Sequence, residues 1–103
     1  MRIETTNTVD ETIITIEGDI DLYSSPELRT AVLKAVPKAT AGVGIHLGGV
    51  SYMDSSGVAT LVEGLRSAKE NGKTFALVAP SQSVMKVLEL ARLDSVFEVR
   101  PAR

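Results

Sequence analysis

Asp54-Ser55-Ser56-Gly57 places a carboxylate and two hydroxyls side by side where an amphipathic stretch begins, and residue types and spacing suggest chemistry there. Three kinds are open to such a run. The short side chains can cap a helix, because their oxygens accept from backbone N–H groups left unpaired in its first turn. A hydroxyl can accept a phosphoryl group, since the same free N–H donors and positive dipole end accommodate an anion. A third possibility recruits Asp54 and Ser55 with His46, the single histidine, as a nucleophile set. That one fares poorly. Adjacent residues point in different directions, no Gly-x-Ser-x-Gly elbow is present, and no second histidine supports it. Capping and phosphorylation are compatible with each other. A phosphate on one serine adds roughly −1.5 to −2 charges beside Asp54 and changes the surface without disturbing a core.

Composition narrows the remaining classes. The chain has 103 residues, room for one core and one domain. It contains no cysteine, which removes disulfides, thiolate metal sites and thiol nucleophiles together, and one histidine makes other metal chemistry unpromising. No metal and no cofactor is expected. Eleven basic residues against thirteen acidic ones, without a basic cluster, argue against direct nucleic-acid binding. No apolar run approaches the ~20 residues a bilayer demands, and the polar start lacks a signal-peptide core. The expected location is cytoplasmic, without membrane insertion.

The elements that must position the polar run follow from periodicity. Thr12 to Glu17 is β-branched and closed by Gly18, with an antiparallel partner in Arg2 to Thr6. Ser24-Ser25-Pro26-Glu27 reads as a hydroxyl cap, a first-turn proline and an early acid, starting a helix. Its apolar stripe is Leu28, Ala31, Val32, Ala35 and Val36, until Pro37 interrupts the pattern. Val43 to Leu47 reads as a buried strand weakened by Gly44, followed by a turn at Gly48-Gly49-Val50-Ser51. A second helix starts near Asp54 or Ser55, with Val58, Leu61, Val62 and Leu65 on one face and Asn71-Gly72 as its stop. Thr74 to Val78 is the next strand, Pro80-Ser81 opens a third helix, and Val96 to Val99 closes the order as a strand. The alternation predicts an α/β fold: a mixed sheet of about five strands with an antiparallel edge pair and helices packed mainly on one side. In such sheets chemistry gathers at the carboxyl ends of parallel strands, which is where the segment from Gly48 to Gly57 is expected as a loop.

The string Val50-Ser51-Tyr52-Met53-Asp54-Ser55-Ser56-Gly57-Val58 resembles the phosphorylation-site signature of STAS-domain anti-sigma-factor antagonists. Gly18-Asp19-Ile20-Asp21 resembles a second family feature, an acidic turn after the second strand that takes part in docking the partner. Gly72 and the segment Leu90 to Phe97 agree in order and phase, so the resemblance spans residues 1–103 as a single STAS domain. It implies that Ser55, directly after the aspartate, is phosphorylated by an anti-sigma factor that is itself a serine kinase, and that a serine phosphatase reverses the change. The unphosphorylated form then captures the kinase and releases a sigma factor. Asp21 is implied as an acidic contact, expected to matter for docking and little for stability, with Asp54, Ser56, Gly57 and Val58 as neighbouring interface positions. Gly57 has a reading of its own: a missing side chain lets a partner approach closely. The protein is then a switch and a substrate, not an enzyme, and is expected to act as a monomer.

Two departures stand out. His46 occupies a strand end where many relatives carry Asp or Asn, and is assigned no role; Gly48-Gly49 replaces a Ser-containing turn. Nucleotide-binding fingerprints of both common glycine-rich kinds are missing from the sequence. The alternative function is a STAS accessory module docking on the cytoplasmic side of a membrane lipid-transporter complex. The doublet Ser55-Ser56 favours the sigma branch.

Overall fold

A computed structural model describes residues 1–101. Five strands form one sheet in the order β1-β2-β3-β4-β5, with β1 (Arg2–Asn7) antiparallel to β2 (Glu11–Ile20) and β3 (Gly42–Met53), β4 (Thr74–Val78) and β5 (Glu98–Arg100) parallel in succession. Helices α1 (Ser25–Lys38), α2 (Ser55–Glu70) and α3 (Gln82–Leu90) make the crossovers. Along β2, Thr12, Ile14 and Ile16 are buried while Ile13 and Thr15 are half-buried, so one face of the sheet is covered and the other partly open. The covered face meets Leu28, Val32 and Val36 of α1, Val58 and Leu61 of α2, and Val84 and Leu88 of α3 in a single core.

Three local expectations are corrected. Gly18 does not close the second strand; at φ +97° it sits inside β2, which continues to Ile20 through register shifts against β3. The turn expected at Gly48 to Ser51 is strand as well. Glu17, Gly18, Asp19 and Ile20 pair with Gly49, Val50, Tyr52 and Met53, so β3 runs on to the residue before Asp54. The loop expected from Gly48 to Gly57 therefore shrinks to Asp54. Pro37 lies inside the last turn of α1, where the lack of its N–H forfeits one bond and the helix continues only to Lys38 before Ala39 turns extended.

β4 pairs with β3 only as far as His46, which leaves the later β3 carbonyls in need of donors. Ser81, the cap of α3, supplies them: its N–H donates to the Leu47 carbonyl at 3.3 Å and its hydroxyl to the Val50 carbonyl at 2.7 Å. The far end of β3 is thus held in place up to the site.

Gly44 also finds its reason. Arg100 reaches across the open face to the Glu11 carboxylate in two parallel bonds of 2.9 and 2.8 Å. A Cβ on Gly44 would lie 3.3 Å from its Nη2 and 2.8 Å from Ile13 Cδ1. Because the pair is partly solvated, a double-mutant cycle on Glu11 and Arg100 is expected to return about 1 kcal/mol or less of coupling. Gly44→Val, which displaces the guanidinium, should abolish that coupling, as read by denaturation of the four cycle variants in its background.

Candidate functional site

The site lies where β2 and β3 both end, at the carboxyl edge of the parallel sheet. β3 stops at Met53, whose side chain is buried, and Asp54 takes an extended conformation (φ −105°, ψ −172°) as the cap of α2. Its carboxylate accepts from the Ser56 N–H at 2.9 Å and from the Ser56 hydroxyl. The Asp54 N–H donates to the Ile20 carbonyl at 3.1 Å, tying this corner to the end of β2. Capping by a carboxylate is what residues of this kind do at a helix start. The two serines are thereby made unequal. Ser56 is half-buried with its hydroxyl committed to Asp54, whereas Ser55 is exposed and its hydroxyl makes no hydrogen bond among the described residues.

Asp21 stands on the neighbouring corner. Its Oδ1 accepts from the N–H groups of Tyr23 and Ser24, each at 3.0 Å, and its carbonyl accepts from the Ser25 N–H at 2.8 Å. In return the Ser24 hydroxyl accepts from the Asp21 N–H at 2.9 Å. Ser24 therefore does not cap α1 with its side chain, contrary to the sequence expectation; Asp21 organises the entry to that helix instead. These bonds give Asp21 a part in the local structure of the turn beside its expected role as a contact.

The two carboxylates share an electrostatic setting. Asp54 is held below its ordinary pKa chiefly by the Ser56 hydroxyl, against some desolvation, with further help from the N–H groups of Ser56, Gly57 and Leu22. Asp21 is held low chiefly by the Ser24 N–H, and is pushed slightly upward by burial and by the charge of Asp54. A carboxylate with a lowered folded pKa stabilises the fold above its ordinary value of 3.8 and loses that contribution as the pH falls through the folded value. Thermal stability contributed by this corner is expected to be flat from about pH 7 to 5 and to decline below the ordinary carboxylate range. Asp54→Asn should flatten that acid limb in melting curves recorded across the range.

Gly57 and Val58 face inward. Val58 is 7% exposed, and a Cβ on Gly57 would lie 2.5 Å from Met53 Cγ and 2.9 Å from Ile20 Cγ2. The missing side chain lets α2 sit down on the ends of β2 and β3. The space read from the sequence as room for a partner is occupied from inside the protein. The polar groups brought together are thus the exposed Ser55 and the half-buried Asp54, Asp21 and Ser56, supported by Gly57 and Val58. His46 is remote in the strand, its Nδ1 accepting from the Gly48 N–H at 3.3 Å. Among the described residues no cluster of His, Cys, Asp and Glu has the makings of a metal site, and no helix is long and apolar enough to cross a membrane.

Sequence reasoning missed Leu22 and Tyr23, which join this surface as exposed side chains in the turn after β2. Their signal was legible: two large apolar residues in an Asp- and Ser-rich turn fit neither the strand period nor the helix period.

Comparison with known proteins accords with this geometry. A family model described as Mlab, STAS domain, matches residues 3–100. An anti-sigma-B factor antagonist of Staphylococcus epidermidis is 27% identical over 99 residues, covering 96% of this chain and 92% of that protein. An anti-sigma-factor antagonist (STAS) domain protein of Planctomyces limnophilus superposes with a TM-score of 0.84 at 25% identity, covering 98% of this chain and 91% of its own. The phosphorylated form of the Bacillus cell fate determinant SpoIIAA shares the fold, with a TM-score of 0.78 at 21% identity over 99% of this chain and 92% of its own.

Proposed function

Because the chain belongs to the STAS-domain family, we propose that it is an anti-sigma-factor antagonist whose phosphoacceptor is Ser55. In this reading the unphosphorylated protein binds a serine-kinase anti-sigma factor in the cytoplasm and so releases a sigma factor. Transfer of a phosphoryl group to Ser55 ends the capture, and a serine phosphatase restores it. The protein supplies an accepting hydroxyl and a docking surface rather than catalysis. One observation carries the assignment: of the two adjacent serines, only Ser55 presents an exposed hydroxyl without an internal partner, at a helix start. A relative of 27% identity carrying the name anti-sigma-B factor antagonist supports the class.

The physical switch is electrostatic. A hydroxyl that accepts a γ-phosphoryl group must face the kinase's nucleotide. Once phosphorylated, Ser55 confronts the remaining phosphates there while standing next to Asp54 and near Asp21, so docking meets like charges from both sides. Incubation with the kinase and ATP, followed by mass-spectrometric mapping, is expected to place one phosphate on Ser55. Phosphate only on Ser56 or Ser24 overturns the assignment. The matching family model is described as Mlab, STAS domain, and not as an antagonist, so a second reading stands beside the first: an accessory module on a lipid-transporter complex. Genes for a permease and an ATPase beside this one would favour it, and an adjacent kinase-like gene the switch.

A further inference from the structure

Leu22 is 67% exposed and Tyr23 91% exposed, a large apolar surface for two consecutive residues. Two exposed apolar side chains lie nearby, Met1 on the wall of the cleft that Tyr23 also lines and Tyr52 opposite Asp19 in the sheet, whereas Val9 and Leu90 are in the turn between β1 and β2 and at the end of α3. The backbone beneath them is pinned at Tyr23, whose N–H donates to Asp21 Oδ1 at 3.0 Å, and the next residue, Ser24, donates its N–H to the same oxygen at 3.0 Å. On a fixed backbone only side-chain rotamers remain to be ordered when the pair is covered, and this lower ordering cost favours an interface anchor. They follow the end of β2, whose Ile20 carbonyl accepts from the N–H of Asp54, the residue before Ser55.

We propose that Leu22 and Tyr23 are the apolar anchor by which the partner kinase grips this protein, seated in an apolar hollow edged with basic side chains. The inference rests on the phospho-switch reading and adds the chemistry of the partner's surface. A kinase that brings its nucleotide to Ser55 and buries about 800 Å² on this side must extend beyond the serine onto the adjoining corner. The charge there selects the partner's rim. Asp19, Asp21 and Glu27 share with Tyr23 and Met1 the wall of a shallow cleft in which no lysine or arginine side chain takes part among the described residues. A partner supplying cations to that rim and apolar surface to its centre matches both features, with tyrosine among the residue types that dominate binding energy at such centres.

The anchor and the acidic rim separate by salt. Rim charges act on association and fade as ionic strength rises, whereas apolar anchors act on dissociation and persist. The test measures binding of the wild type, Leu22→Ala, Tyr23→Ala and Ser55→Asp to the serine-kinase anti-sigma factor of the same organism, at low and high salt. Each anchor variant is expected to lose about tenfold or more in affinity, mainly through faster dissociation, by the same factor at both salt levels. Melting temperatures should be unchanged, because both side chains are exposed and the bond that pins Tyr23 is made by its backbone. A loss under about twofold, or one that vanishes at high salt, sinks the anchor while Ser55→Asp still weakens binding and leaves the switch standing. Wild-type protein that does not bind the kinase at all removes both.

Discussion

Ser55→Asp is expected to weaken capture of the anti-sigma kinase by about a hundredfold, while Ser55→Ala keeps the wild-type affinity within about twofold. The asymmetry follows from what each side chain leaves behind. The Ser55 hydroxyl has no partner among the described residues, so alanine removes no bond seen there and adds no charge to the surface. Aspartate adds a third carboxylate beside Asp54 and Asp21, at the point that must face nucleotide phosphates, and an unpaired charge at the centre of an interface is costly. Neither substitution should disturb α2, whose cap is supplied by Asp54 through the Ser56 N–H. Calorimetric titration against the kinase with bound nucleotide reads the outcome. Equal affinities for the two variants would move the switch away from Ser55. Ser56→Ala makes the internal comparison: losing a hydroxyl bonded to Asp54 should alter the acid limb of stability more than it alters docking.

The second large effect is expected inside the protein. Gly57→Val should destabilise the fold by about 2–3 kcal/mol, because even its Cβ is driven into Met53 Cγ and Ile20 Cγ2 and two methyl groups follow. For a domain of this size that is roughly a 10 °C or greater fall in melting temperature. Gly57→Ala should cost less, since alanine's helix preference of about 1 kcal/mol over glycine offsets part of the clash. Denaturant titration with an unchanged slope would show that the loss is one of native packing. A valine variant with the wild-type midpoint that fails to bind the kinase would restore the reading in which Gly57 makes room for a partner. Because α2 rests on Gly57, the same substitution should also shift Ser55 and slow its phosphorylation.

Much of this was legible before any coordinates. The β-branched run at residues 12–17, the 3.6-residue stripes and the Asp54 start of α2 report local preferences that act within a few residues, and they set the α/β alternation. The motif around Ser55 pointed to the family, and its polar residues do stand at a helix start. Boundaries were read less well where glycine was taken as punctuation. Gly18, Gly48 and Gly49 all lie within strands. A glycine that bends a strand, or makes way for a side chain from another strand, has the same local appearance as one that ends it.

The sequence by itself determined the order of elements and the candidate hydroxyl, because period, capping chemistry and motif are written over neighbouring residues. It left Ser55 and Ser56 equivalent as hydroxyls, and only the folded corner separated them, by turning one onto Asp54 and the other to solvent. Tertiary structure likewise decided that Asp21 organises a helix entry, that Gly57 is a packing contact, and that Arg100 serves Glu11 from 89 positions away. These roles depend on which strand ends are brought together when the sheet closes, and no short-range preference encodes a distance between residues so far apart in the chain.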